Sequence, residues 1–128
     1  MKLPFKNLWL LAALTFVIIS CSGDDESDKT SVKYIVTSES DMITSLQYRN
    51  ANGNMIEAIG DAPGIEWTRS INVDIPFDAR LEVTVVNTES EAMAYDLAVY
   101  VDGELVDYLP AEAPANGTDS SILEYDLN

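Results

Sequence analysis

The chain has 128 residues, the length of about one domain, and its 22 acidic and 7 basic residues give a formal net charge of −15. It contains one Cys and no His, which excludes a disulfide framework, a Cys/His zinc site and catalysis through an imidazole. Binding to nucleic acid relies on Lys and Arg contacts to phosphates, so this acidic composition argues against it. The composition predicts neither a nucleic-acid partner nor a cofactor.

Residues 1–20 are typical of a cleavable export signal. Lys2 and Lys6 precede an apolar run of 12 residues, 8–19. A helix that spans a bilayer needs roughly 20 apolar residues, so a cleaved signal is favoured over a transmembrane anchor.

The end of this apolar run carries a more specific pattern. The sequence Ile18-Ile19-Ser20-Cys21 resembles the lipobox of bacterial lipoproteins, in which the Cys is acylated and becomes the first residue of the mature protein. The resemblance implies cleavage before Cys21 and lipidation of Cys21, so that membrane lipid holds the protein through this residue. The alternative is that Cys21 is an ordinary thiol behind an ordinary secretion signal.

Residues 21–31 predict a flexible acidic tether after the lipidated Cys. The segment Ser22–Ser31 has no large apolar side chain, so it has nothing to bury against the entropic cost of ordering. Its start, Cys21-Ser22-Gly23-Asp24-Asp25-Glu26, resembles the surface-export signal of Bacteroidota lipoproteins. That resemblance implies an outer-membrane lipoprotein that faces the cell surface, with the periplasm-facing leaflet as the alternative.

Cleavage before Cys21 makes the predicted mature protein still more acidic. It keeps five basic residues and all 22 acidic ones, a net charge of −17. An anionic bilayer surface repels such a body within about a Debye length, ~8–10 Å at ordinary salt. We therefore expect the folded part to stand off the membrane.

Residues 32–128 predict an all-β domain, a small Ig-like antiparallel β-sandwich of about eight strands. Short alternating apolar and polar runs recur between turn signals, and Asn-Gly or Asp-Gly at 52–53 and 102–103 marks two hairpins. The predicted strands are 32–37, 43–49, 55–59, 65–75, 79–86, 95–101, 104–109 and 121–127.

Alternation within these strands predicts the core, because successive side chains point to opposite faces of a sheet. The residues expected to face inward are Val32, Tyr34, Val36, Ile71, Val73, Ile75, Leu81, Val83, Val85, Tyr95, Leu97, Val99, Val101, Leu123, Tyr125 and Leu127. Pro76 is expected to end the fourth strand, since proline cannot donate to a ladder.

Several of these features together resemble the MmpS family. They are a Tyr34-x-Val36 opening strand, Tyr48-Arg49-Asn50 before an Asn-Gly turn, a Trp67 strand leading to an Ile-x-Val pair, and Val101-Asp102-Gly103 before a return hairpin. The resemblance covers most of residues 32–109 and implies a membrane-anchored envelope protein with a β-sandwich domain that accompanies an efflux or lipid-export pump. The family differs in its uncleaved transmembrane helix and in a pair of domain cysteines, which this chain lacks.

Carboxylates offer two candidate acid pairs for hydrolysis. Asp74 and Asp78 flank the bend at Pro76, and Asp61 precedes Glu66 by five residues. In so acidic a chain neighbouring carboxylates occur by chance, and a domain of this size has little room for a deep cleft. Solvated loop acids are therefore the favoured interpretation, and we do not expect an enzyme.

Calcium and sugar provide two further alternatives. Asp102-Gly103 lacks the ligand spacing of a calcium loop, so a plain hairpin turn is favoured and no metal site is predicted. Tyr100, Tyr108 and Trp67 are candidates for a sugar platform. If Val101 pairs with Glu104 and the pairing continues without a bulge, Tyr100 and Tyr108 are not directly opposite each other on the two strands. All three rings are therefore expected to be core aromatics.

The sequence as a whole predicts a membrane-anchored envelope lipoprotein whose β-sandwich is a non-catalytic interaction module. Its expected partner is another envelope protein or a transport complex, as in MmpS-like proteins. A surface module that binds glycan or calcium is the alternative, and a hydrolase is the third hypothesis. The fold alone does not separate these functions.

Overall fold

The structure, a computed structural model, describes residues 29–58 and 65–128. Every regular element in these two ranges is a β-strand, and neither range contains a helix that could cross a membrane. The strands are β1 (Thr30–Ser38), β2 (Ile43–Arg49), β3 (Met55–Glu57), β4 (Glu66–Val73), β5 (Phe77–Val86), β6 (Met93–Val101), β7 (Glu104–Ala113) and β8 (Thr118–Leu127).

The strands form two four-stranded antiparallel sheets. The first sheet has the order β4-β1-β6-β7, and the second has the order β3-β2-β5-β8. The inner faces pack against each other around one apolar core. This arrangement confirms the predicted small antiparallel β-sandwich of about eight strands.

Strict alternation along the central strands builds that core. In β5 the side chains of Ala79, Leu81, Val83 and Val85 are almost fully buried, and the residues between them reach solvent. The same period places Val32, Tyr34 and Val36 of β1 and Tyr95, Leu97 and Val99 of β6 inside. The inward residues predicted for these three strands are therefore confirmed, except that Val101 is only partly buried.

One predicted core residue lies outside the core. Ile75 was expected to continue the inward series of β4, but its side chain is 48% exposed. The strand ends at Val73, which pairs with Thr30 at the first residue of β1, so the ladder has no partner residue beyond this point. The prediction of an inward Ile75 is therefore wrong.

Both predicted hairpins form, and backbone conformation explains why Asp-Gly suits the second. Asp102 and Gly103 have φ angles of 50° and 86°, which places both in the left-handed region that tight hairpin turns require. The Asp102 carboxylate also accepts a hydrogen bond of 3.0 Å from the backbone N–H of Ser31. Its interpretation as a turn residue is confirmed.

A β-bulge interrupts the pairing of β6 with β7. Tyr100 pairs with Leu105, but the preceding residue Val99 pairs with Asp107, so Val106 is an extra residue in β7. From this point towards the end of β7 the register differs by one residue from an uninterrupted hairpin. Tyr108 consequently lies opposite Ala98, where unbroken counting predicts Leu97.

We expect Val99→Asp to unfold the domain, because Val99 is fully buried and the new carboxylate would have no partner. The free energy of unfolding should fall by about 3–5 kcal/mol in urea denaturation, a large part of the stability of a domain this size. Val86→Asp is the matched control on an exposed position of β5, and it should cost about 1 kcal/mol or less. Equal losses in the two variants would contradict the observed alternation.

Candidate functional site

The outward surface of the first sheet carries exposed aromatic and aliphatic side chains, among them Tyr108 and Leu105. Pairing across β1, β6 and β7 brings these side chains together on one surface, away from the core. We call this surface the tyrosine face, and it consists of Lys33, Ile35, Asp96, Ala98, Tyr100, Leu105 and Tyr108.

The shape of the tyrosine face follows from the difference in size between neighbouring residues. Ala98 points outward yet is only 6% exposed, because larger side chains stand around it. Tyr108 lies directly across from Ala98, and Tyr100 lies two residues along β6. Tyr108 and Leu105 are 50% and 49% exposed. Ala98 is therefore covered by its neighbours, and Tyr108 and Leu105 provide the exposed ring and aliphatic surface of this face.

Charged groups give this surface its electrostatic character. The Lys33 ammonium lies 5.9 Å from the centroid of the Tyr100 ring, within the range of a cation–π contact. The Tyr108 hydroxyl donates a 3.3 Å hydrogen bond to Asp96, and this carboxylate raises the pKa of the hydroxyl. The face therefore combines ring surfaces, a carboxylate and a single ammonium.

The opposite face of the sandwich is polar. On the outward surface of the second sheet, the Arg80 guanidinium forms ion pairs with Glu82 at 2.7 Å and Glu124 at 2.9 Å. Next to them the hydroxyls of Thr84 and Ser120 lie 3.0 Å apart in a groove of about 210 Å³. Arg80 therefore offsets part of the negative charge on this face.

Trp67 lies inside the sandwich, so its interpretation as a core aromatic is confirmed. It is 3% exposed, and its ring centroid lies 5.4 Å from that of Tyr48, which in turn contacts Tyr34. The Arg69 guanidinium lies over the rings of Tyr48 and Trp67 and donates a 2.7 Å hydrogen bond to the Tyr48 hydroxyl. This stack joins β1, β2 and β4 and offers no exposed ring.

Burial also fixes the protonation state of two core tyrosines. It raises the pKa of Tyr34 to about 12, and the neutral hydroxyl donates a 2.9 Å hydrogen bond to the backbone carbonyl of Arg49. Burial and then the Asp119 carboxylate raise the pKa of Tyr95 to about 12. The Tyr95 hydroxyl donates to Asp119 at 2.6 Å, which links β6 of one sheet to β8 of the other.

A second cluster of polar groups lies at one end of the second sheet. Asp78 and Asp126 are directly opposite each other on β5 and β8, and Arg49 lies 3.7 Å from Asp78. Partial burial and the hydrogen-bonded Asp126 carboxyl raise the pKa of Asp78. The adjoining depression, about 260 Å³, is lined by Pro76, Phe77, Asp78, Asp126, Leu127 and Asn128.

The structure separates the acids that the sequence analysis paired. Asp74 forms an ion pair of 3.0 Å with Lys29, whereas Asp78 faces Arg49 and Asp126. Glu66 is exposed at the first residue of β4, and Asp61 lies outside the described residues, as does Cys21. Within 29–58 and 65–128, no group of three or more acidic or Cys side chains is arranged to hold a metal ion.

The interpretation of Tyr100 and Tyr108 as core aromatics is wrong. Both side chains lie on the outward surface, and Tyr108 is half exposed. Tyr108 faces outward because the extra residue Val106 shifts every later side chain of β7 by one position relative to unbroken counting. Tyr100 faces outward by the alternation of β6 itself, since it follows the inward Val99. Neither Gly nor any other typical bulge residue stands at this position, so the sequence gives no indication of the bulge or of the tyrosine face that it helps to form.

Comparison of the chain with protein-family models and with curated proteins gave no match. The resemblance to the MmpS family therefore stays a prediction that rests on the sequence motifs alone.

We expect Asp126→Asn to stabilise the protein at neutral pH, because it removes a like charge directly opposite Asp78 and keeps the Arg49 contact. The gain should be about 0.2–1 kcal/mol, the size of a cross-strand charge effect on a solvated face. The raised pKa of Asp78 means that the folded state binds this proton more tightly than the unfolded chain. The charged Asp78 therefore destabilises the natural protein increasingly as pH rises from 3.8, the ordinary pKa of this group, through its raised pKa in the folded state.

The measurement is urea denaturation of both proteins from acidic to neutral pH. The stability difference between them should shrink as pH falls through the raised pKa of Asp78, because that carboxyl then takes up its proton. Glu104→Gln, an exposed acid on the other sheet, is the control and should show no such trend. A difference that is constant with pH would show that the two carboxyls do not interact.

Proposed function

We propose that the protein is an outer-membrane lipoprotein, anchored through acylated Cys21, whose β-sandwich is a non-catalytic interaction module for another envelope protein. The observation that carries the interaction role is the tyrosine face, where two tyrosines and Leu105 stand on a rigid sheet and expose ring and aliphatic surface. Aromatic residues are enriched where proteins bind each other. The anchor rests on the lipobox-like residues before Cys21.

Three features support an interaction module over a catalyst. Two surface depressions within residues 29–58 and 65–128, of about 260 and 210 Å³, are smaller than typical small-molecule pockets of roughly 300–1,000 Å³. Asp74 and Asp78 have different partners, which weakens the argument for an acid pair. The exposed rings lie on a flat face, which suits contact with a surface better than enclosure of a substrate.

A glycan-binding module is the second candidate, and one observation favours it. The Tyr108 ring is half exposed and its hydroxyl is held by the Asp96 carboxylate, so ring stacking and a hydrogen-bond acceptor lie side by side. Calcium binding, the other part of that alternative, gains no comparable support, because Asp102 is used by its hairpin and by Ser31.

Cys21→Ala tests the anchor. We expect the variant to accumulate as an unprocessed precursor without acyl groups, because the thiol that carries the lipid is gone. Metabolic labelling with a fatty acid, followed by mass spectrometry of the N-terminus, measures both effects. Ser22→Ala is the matched control and should be cleaved and labelled like the natural chain. Acyl label that persists on the Cys21→Ala protein would defeat the lipoprotein assignment.

Replacing Asp24, Asp25 and Glu26 by Ala tests surface display. We expect the acylated variant to stay in the periplasm-facing leaflet, where a protease added to intact cells does not reach it. Replacing the nearby Asp28 alone should leave the protein accessible. If the triple variant is digested as fast as the natural protein, the acidic residues do not direct export.

A further inference from the structure

We infer that the tyrosine face docks a protein partner whose contacting surface is positively charged and presents Arg or Lys side chains to the tyrosine rings. The inference rests on the proposed interaction role and adds the chemistry of the partner. Three observations carry it: the charge that surrounds the face, the contact that Lys33 already makes with Tyr100, and the contrast with the opposite side of the sandwich.

Unmatched negative charge surrounds the exposed rings. The outward charged residues of the first sheet are the carboxylates of Glu66, Asp96 and Glu112 and the single ammonium of Lys33. No Lys or Arg within the described part of the chain forms an ion pair with Asp96 or Glu112. A cationic partner surface would therefore gain from charge complementarity, which also accelerates association.

The same charge argues against other occupants. A second copy of the chain would bring another acidic body of net charge −17 in its mature form, and the two faces would repel each other. Anionic lipid and nucleic acid are disfavoured for the same reason. A basic protein surface is the occupant that the electrostatics favour.

Lys33 shows how a cation fits this surface. Its ammonium lies over the Tyr100 ring at 5.9 Å from the centroid, so one ring already receives a positive charge from within the chain. The Tyr108 ring, which is half exposed, has no such cation among the described residues. Because Tyr108 is half exposed, a guanidinium or ammonium can reach its ring, where cation–π attraction and the nearby Asp96 carboxylate act together.

The polar face of the second sheet lacks this combination. Among the described residues no aromatic ring is exposed on that face, Arg80 forms ion pairs with Glu82 and Glu124, and Ile122 is an isolated exposed aliphatic residue, 50% exposed like Tyr108. Ile122 therefore provides a matched position, equal in exposure and on the opposite surface, at which the same substitution should have no effect on docking.

The test measures binding of defined peptides to the full acylated protein in nanodiscs of zwitterionic lipid. The probe is a fluorescent peptide that alternates Arg and Tyr, its counterpart alternates Glu and Tyr, and fluorescence anisotropy reports the affinity. We expect the Arg peptide to bind and the Glu peptide not to bind. Tyr108→Ala should weaken binding about five- to thirtyfold, as for a contact at the centre of an interface. Ile122→Ala should leave the affinity unchanged.

A second variant protects the test against a folding defect. Glu112→Lys changes an exposed residue of β7. It should weaken binding of the Arg peptide and allow the Glu peptide to bind. If Tyr108→Ala binds the Arg peptide as tightly as the natural protein does, the attraction is a general effect of charge and the inference is overturned, and equal weakening by Tyr108→Ala and Ile122→Ala would overturn it as well. Displacement of the Arg peptide by a neutral oligosaccharide would also overturn it and assign the rings to sugar. The acyl mass of each preparation separates these failures from failure of the proposed anchor.

Discussion

The whole structure depends on the two-residue period of its strands. Each strand must bury the side chains on one of its two faces, and the buried faces of the two sheets pack against each other. Because the period is two, a shift of one residue would exchange core and surface along an entire strand. Turns therefore matter as much as apolar residues, and the left-handed residues Asp102 and Gly103 fix the start of the β6–β7 register.

The tyrosine face, to which we assign the proposed interaction role, lies where a bulge interrupts the pairing of β6 with β7. The extra residue Val106 lets Leu105 and Tyr108 both face outward, while Leu109 beyond them packs against the core. The bulge thus moves ring surface from the interior to solvent without loss of the core contacts of β7. Exposure of aromatic surface stabilises nothing by itself, which is why we connect the tyrosine face with binding and the buried stack around Trp67 with stability.

Most of the fold was predictable because it depends on local sequence. All eight strands, both hairpins and the buried rows of β1, β5 and β6 follow from alternation and turn residues. Ile75 was misplaced because the end of a ladder depends on the partner strand, which a single segment does not reveal. Tyr108 was misplaced because no residue type announces the bulge. Asp126 was missed because opposition to Asp78 is a property of the β5–β8 register and needs the assembled sheet.

The position of β1 has a mechanical consequence if the domain is tethered as we propose. This strand is the first of the fold and lies between β4 and β6, with eight and seven residue pairs to its two neighbours. A pull from the anchor would act along β1, across hydrogen bonds that run perpendicular to it on both sides. Such a shear load is shared by many hydrogen bonds at once, whereas an edge strand would separate one hydrogen bond at a time. The position of β1 between two strands is therefore suited to resist a force applied at the N-terminal end of the domain.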